Sequence, residues 1–259
     1  MNKDNELTSE ADWDRNWENF LPSSINPKDQ ILGENGAFLK TLESNFSLKK
    51  GSSTLELGGA CSAYLCSLAK FRSMNASIID YSKTGLRCSD KLFHINNCNI
   101  DMHHGDIFDY DFGEKKFDYI VHWGLIEHFK NPSEIFELSH KLLNKSGATF
   151  FTMPNMEAIG TSLWKKYDTD DYNTHIFHSD EYIHQLAHDS GFEVHSIYYW
   201  GPPILFNAGY WFKGQSLLRP VINFFIRCFS VVSKFLPLYR IGHRKWSAHR
   251  AFILVKKQK

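Results

Sequence analysis

The chain has 259 residues, 42% of them hydrophobic. That length suits one large domain, or one domain with an insertion, and the composition suits a sizeable core. Lys and Arg together number 29, as do Asp and Glu, so no net field favours an anionic partner and no nucleic-acid partner is expected.

Residues 1–50 read as an N-terminal helical extension. Trp13, Trp17 and Phe20 fall at i, i+4 and i+7, on one helical face. That face either packs on the core or covers a pocket as a lid. From residue 51 the pattern alternates. SSTLELG (52–58) predicts a buried strand and ACSAYLCSLAKF a helix. ASIIDY (76–81) predicts a strand, SKTGLRCSDKLFHIN a helix, and NIDMHHGD (99–106) a short strand. FDYIVHWG (117–124) is a strong strand pattern. PSEIFELSHKLLN (132–144) is a helix with Pro at its start, where a missing N–H costs little. ATFFTMPN (148–155) predicts a strand, HSDEYIHQLAHDSG (178–191) a helix with a Gly stop, and FEVHSIYYWG (192–201) a strand. Residues 202–246 break the rhythm: they are apolar with basic points, and their apolar runs fall short of the roughly 20 residues a membrane span needs. AHRAFILVKK (248–257) predicts one last strand. This alternation implies a parallel sheet with helices on both faces, and an insertion before the final strand.

Cysteines stand at 61, 66, 88, 98 and 228. The count is odd and no C-x-x-C pair occurs, so neither a disulfide framework nor a zinc site is indicated. The first residues, MNKDNELTSEADWDRNW, lack the basic start and apolar run of a signal peptide. Both features point to a reducing, cytoplasmic setting.

Open parallel sheets bind ligands beyond the carboxyl ends of their strands. The first such end is LELGGACSAYL (55–65). It lacks the later glycines of a G-x-G-x-x-G dinucleotide turn and the G-K-[ST] of a phosphate loop. What remains is Glu56 before Gly58, Asp80 ending the second strand and Asp106 ending the third. Three carboxylates repel pyrophosphate but suit a cationic, hydroxyl-rich ligand. A phosphate-free, positively charged nucleoside such as S-adenosylmethionine fits the set.

The run Glu56-Leu57-Gly58-Gly59-Ala60-Cys61-Ser62 resembles the first motif of class I, Rossmann-like S-adenosylmethionine-dependent methyltransferases, E/D-x-G-x-G-x-G. Asp80 matches that family's ribose-binding acid and Gly105-Asp106-Ile107 its adenine-side motif. FDYIV (117–121) with GLIEHF (124–129) resembles its fourth-strand motif, and LLNKSGATFFTMPN (142–155) the helix-turn-strand that follows. Ala60 and Ser62 replace two glycines of the pattern, which Ala tolerates if φ stays negative. The resemblance covers roughly residues 50–200 and the last strand. It implies an α/β fold: a doubly wound, seven-stranded, mostly parallel sheet with an antiparallel last strand. It divides the chain into a helical extension or lid (1–50), a cofactor-binding methyltransferase domain (51–201 and 247–259) and an apolar, basic insertion (202–246). It implies S-adenosylmethionine as cofactor, held by Glu56, Gly58, Gly59, Ala60, Asp80, Tyr81, Asp106, Ile107 and His122.

In this family the leaving group is already activated, so the protein mainly supplies proximity and orientation. A hydroxyl acceptor must also lose its proton, and His is the usual base. His122, His128, His175 and His178 lie near the ends of the fourth and fifth strands; His128 and His175 are the expected catalytic pair. Some quinone-biosynthesis O-methyltransferases carry a metal-binding glutamate three residues before the Glu-His pair. Here that position is Gly124, so no metal is expected. Trp123, Trp164, Tyr167, Tyr172, Trp200, Tyr210 and Trp211 offer rings for an acceptor pocket or for an ordinary core. The expected acceptor is a hydroxyl of a small molecule or glycan, with N-methyl transfer and a non-catalytic cofactor-binding module as alternatives. The stretch 216–238 is open to three readings: a cap, a homodimer face or a peripheral membrane contact.

Overall fold

The structure is a computed structural model, and it describes residues 5–30, 33–45, 48–203, 220–221, 224–225, 228 and 242–257. The chain runs α1 (Glu10–Glu18), α2 (Gly33–Asn45), β1 (Ser53–Leu57), α3 (Ala63–Arg72), β2 (Asn75–Asp80), α4 (Lys83–Asn96), β3 (Ile100–His104) and β4 (Phe117–Trp123). It continues with α5 (Ser133–Leu142), β5 (Leu143–Pro154), α6 (Thr161–Tyr167), α7 (Thr169–Asn173), α8 (Asp180–Asp189), β6 (Phe192–Pro203) and β7 (Ser247–Lys256).

Seven strands form one sheet in the order β3-β2-β1-β4-β5-β7-β6. The first five pair in parallel; β7 lies antiparallel between β5 and β6. The chain order reverses between β1 and β4, and there the carboxyl ends of neighbouring strands leave a crevice. The doubly wound sheet implied by the motifs is the one observed.

Each face of the sheet is covered by helices whose apolar stripe it buries. Ile135 and Phe136 of α5 and Ile183 and Leu186 of α8 meet Phe151 and Phe252 on one face. Phe38, Leu39 and Leu42 of α2 and Leu68 of α3 meet Val121, Phe150 and Ile253 on the other. Burying one such Leu or Phe contributes about 1.5–3 kcal/mol. Part of the N-terminal extension is therefore core. Serine caps aim the two helices that border the crevice: Ser62 accepts from the Leu65 N–H and Ser82 from the Gly85 N–H.

Several boundaries differ from the sequence reading. Phe20 lies beyond the end of α1 and is 48% exposed, so only Trp13 and Trp17 share that helix. β5 starts at Leu143, five residues early, and its pairing with β4 is irregular between Phe117 and Tyr119. α6 and α7 are 7 and 5 residues long, too short to leave a periodic signal. Most of the 202–246 insertion lies outside the described residues; of those described, Val221, Phe224 and Phe225 are exposed. No helix among the described residues is long and apolar enough to cross a membrane.

Candidate active site

A cavity of about 620 Å³ opens at the carboxyl ends of β1, β2 and β4, within the size range of small-molecule sites. Its floor is the turn after β1. Gly58 has φ +60, the left-handed region that glycine enters without a Cβ penalty. Gly59 is fixed for a different reason: a Cβ there would lie 2.4 Å from Glu56 Cγ. The substituted glycine positions cause no strain, because neither Ala60 nor Ser62 has a positive φ. The turn instead takes its second left-handed step at Cys61, φ +56, whose N–H donates to Ser89 Oγ at 2.6 Å.

Three carboxylates line this end. Glu56 is fully buried, and neither of its oxygens makes a hydrogen bond. Burial pushes its carboxyl up to about 8, against the pull of the neighbouring Ser62 and Trp123 side chains. A buried group with two unmet acceptors is poised for a cationic or N–H-bearing ligand. Asp80 accepts from the Ala60 N–H at 3.1 Å and the Ser82 N–H at 2.7 Å; burial raises it to about 6 despite those two bonds. Asp106 accepts from the Phe108 N–H at 2.9 Å, with Ile107 buried beside it. Tyr81 donates its hydroxyl to Glu6 at 2.8 Å, and burial holds the Tyr81 proton on.

The opposite end has a different character. A short helical turn, Ile126–His128, follows β4 and buries all three residues. His128 Nδ1–H donates to the Thr174 carbonyl at 2.7 Å, and His175 Nδ1–H to the Asp171 carbonyl at 2.8 Å. A carbonyl only accepts, so both tautomers are fixed and both rings keep Nε2 as an unprotonated acceptor. The rings sit 4.7 Å apart. Burial first, and His175 second, press His128 down to about 4; burial also lowers His175. Glu127 stands beside them, fully buried, its carboxyl raised by burial to about 8. Donor atoms of Glu127, His128 and His175 lie within 4.8 Å of one another. This is a set that can handle a proton or hold a cation, and it forms because the Ile176 N–H bonds the Glu127 carbonyl at 2.7 Å.

The roof is the N-terminal arm. Leu7 N–H donates to the His128 carbonyl and Lys130 N–H to the Asn5 carbonyl, both at 2.8 Å. Asp14 accepts from Ser82 Oγ at 2.6 Å and the Thr84 N–H at 3.0 Å, clamping α1 to the start of α4. Glu6, Thr8, Trp13 and Trp17 thereby line the cavity, and Trp13 meets the His128 ring edge-on at 5.2 Å.

Of the expected cofactor residues, Glu56, Gly58, Gly59, Ala60, Tyr81, Asp80, Asp106 and Ile107 all line the cavity, as do His128 and His175. His122 does not. Strand alternation turns it to the other face, where it stacks on Phe151 at 4.8 Å and burial drops it to about 3; Trp123 faces the cavity instead. His178 is also outside: its Nε2–H is shared between the Ile126 and Phe129 carbonyls at 3.2 and 3.1 Å. Of the aromatic candidates among the described residues, only Trp123 lines the cavity. Trp164 and Tyr172 pack behind His175, Trp200 joins the core near Phe38, and Tyr210 and Trp211 lie outside the described residues. Glu6, Thr8 and Glu127 carried no role in the sequence reading. Glu127 sits in the GLIEHF motif, so its signal was present; Glu6 and Thr8 left none.

S-adenosylmethionine fits what is present: a glycine floor with no room for a side chain, a buried unpaired carboxylate beneath it, and two more carboxylates at the next strand ends. A family model described as a methyltransferase domain matches residues 33–197, more than half the chain. No curated protein sequence matches significantly. Among solved structures, the fold is similar to that of a candidate sarcosine dimethylglycine methyltransferase from Galdieria sulphuraria (14% identity, TM-score 0.60, 87% of this chain and 86% of that one). It is also similar to phosphoethanolamine N-methyltransferase 2 of Haemonchus contortus in complex with S-adenosyl-L-methionine (17% identity, TM-score 0.58, 86% of this chain); this chain spans 53% of that enzyme's length. A third is a cyclopropane synthase from Mycobacterium tuberculosis (15% identity, TM-score 0.57, 85% and 83%). Sheet order, carboxylate ladder and family match converge on one assignment: the chain belongs to the methyltransferase-domain family, a class I S-adenosylmethionine-dependent methyltransferase.

Proposed function

We propose that the enzyme methylates a hydroxyl of a small molecule or glycan, with His128 and His175 as the proton-accepting pair. The observation that carries this reading is the fixed tautomers: both Nδ1 atoms are spent on carbonyls, so each Nε2 can take a proton. Both imidazoles are neutral near pH 7, since burial lowers their affinity for a proton. When bound, the cofactor supplies a methyl on a positively charged sulfur. Asp80 and Asp106 would accept hydroxyl and amino protons of the nucleoside, and Glu56 would answer its cationic end. The acceptor hydroxyl rests at the His128 end, where Nε2 removes its proton as the oxygen attacks. Glu127 lies close to both rings, its carboxyl held neutral by burial. Trp13 and Trp17 of the N-terminal arm, with Glu6 and Thr8, act as the lid that excludes water.

Release of S-adenosylhomocysteine in the presence of hydroxylated sugars and phenols tests this. Turnover on a hydroxyl that His128→Ala and His175→Ala abolish supports it. Turnover only on amines, insensitive to both substitutions at high pH, refutes it. That N-methyl reading has its own support, since phosphoethanolamine N-methyltransferase shares the fold. A second reading concerns the same three side chains. The sequence led us to expect no metal, and under that proposal a chelator leaves turnover unchanged. The grouping of Glu127, His128 and His175 favours a divalent cation instead, and loss of turnover in EDTA with recovery on adding metal would establish it.

A further inference from the structure

Four of the five cysteines meet in two pairs. Cys88 Sγ lies 2.6 Å from Cys61 Sγ, and Cys66 Sγ 2.7 Å from Cys98 Sγ. A disulfide bond is about 2.05 Å long, so either pair can bond with a shift of well under an ångström. They differ in access. Cys61 and Cys88 are both buried, with Cys61 in the lining of the cavity. Cys66 is fully buried on α3, but Cys98, on the turn between α4 and β3, is partly exposed.

Chemistry sorts the second pair into roles. The Cys66 S–H beside Cys98, together with the Lys70 ammonium, holds the Cys98 thiol below its ordinary range. The same contact, with burial, keeps the proton on Cys66. When protonated, Cys98 has the Cys66 carbonyl 3.5 Å away as an acceptor. An accessible thiolate backed by a buried thiol is the layout of an attacking and a resolving cysteine.

We propose that Cys66 and Cys98 form a reversible dithiol–disulfide pair, a modification site for small disulfides of the glutathione class. The Cys98 thiolate attacks one sulfur of the small disulfide, whose S–S bond breaks and releases one thiolate. Cys66 then gives its proton to water or to that thiolate and attacks Cys98 Sγ, expelling the second small thiol. Two protein thiols and one small disulfide become one protein disulfide and two small thiols. The protein loses two electrons and the small disulfide gains them. The new bond clips α3, which starts at the cofactor turn, to the entry of β3, which leads to Asp106. Since the sulfurs are already side by side, the cavity keeps its shape and methyl transfer continues.

The test uses the full chain carrying Cys228→Ser, which removes the exposed thiol outside the two pairs. The protein is held at neutral pH with oxidised glutathione, quenched by alkylation, and mapped by mass spectrometry. The expected result is a linked Cys66–Cys98 peptide, lighter by two hydrogens and restored by dithiothreitol. Cofactor-analogue affinity should stay within about twofold of the reduced form. In Cys98→Ser, Cys66 should remain unmodified. A persistent glutathione adduct on Cys98, a link only between Cys61 and Cys88, or four intact thiols at positions 61, 66, 88 and 98 would each overturn the proposal, and the same mapping of the wild-type chain gives the same readouts without any substitution.

Discussion

The two ends of the cavity are built in opposite ways. The cofactor end comes from three consecutive strand ends, each delivering one carboxylate within a few residues of its strand. The other end, which we assign to the acceptor, is assembled from segments far apart in sequence: the arm at 5–17, the turn at 126–128 and the loop at 171–175. The first is rigid by virtue of the sheet. The second depends on a handful of hydrogen bonds between loops, such as Ile176 to Glu127 and Leu7 to His128. Local construction suits a ligand common to a whole family; distributed construction suits an acceptor that differs between members.

The comparison breaks hardest at the imidazoles. The double variant His128→Ala/His175→Ala should lose roughly 10²–10⁴-fold in turnover on a hydroxyl acceptor, measured by S-adenosylhomocysteine release. If turnover survives, the acceptor end performs no proton transfer. Next in size is Gly59→Ala. The added methyl would sit 2.4 Å from Glu56 Cγ, and relieving such an overlap costs about 1–3 kcal/mol. Cofactor-analogue affinity should weaken roughly 5–150-fold by calorimetry; an unchanged affinity would mean the floor yields where we describe it as tight.

A smaller effect joins the two ends. Tyr81→Phe removes the bond to Glu6 that ties the arm to the cofactor end. A bond of this type contributes about 0.5–1.5 kcal/mol, so the Kd should rise only a few-fold. A pH effect is read in stability rather than in binding. Burial raises Glu127 from 4.5 to about 8 in the fold. A raised folded value means stability is full below the unfolded value and is lost as pH climbs through the folded one. Glu127→Gln removes that loss. The Tm of the variant relative to wild type should therefore grow between about pH 5 and pH 8, by an amount on the order of 2–4 °C per kcal/mol recovered. A constant difference would show that the carboxyl is not held neutral.

The same contrast explains what the sequence disclosed. Glu56, Asp80 and Asp106 were legible because strand patterning fixed where each strand ends, and a carboxylate at a strand end has few alternatives. His122 was misplaced by one residue of alternation: a period of two sends it to the core and Trp123 to the cavity. The His128–His175 pair was chosen by chemistry, but the carbonyls that fix their tautomers belong to Asp171 and Thr174, in a stretch with no periodic signal. Glu6 and Thr8 left no trace, because an arm that crosses the site is placed by tertiary pairing with 128–131, not by any local pattern. The cysteines show the same limit: spacing excluded a framework, while folding brought residues 27 and 32 apart into contact.

The most direct test of the division into two ends is calorimetric titration with S-adenosylhomocysteine of three proteins: wild type, Asp80→Ala and His128→Ala/His175→Ala. Loss of charge-assisted hydrogen bonds at Asp80 should weaken binding roughly 10–150-fold, while the double histidine variant should stay within about threefold of wild type. Equal weakening in both, or weakening only in the histidine variant, would contradict the assignment of the carboxylates to the cofactor and the imidazoles to the acceptor.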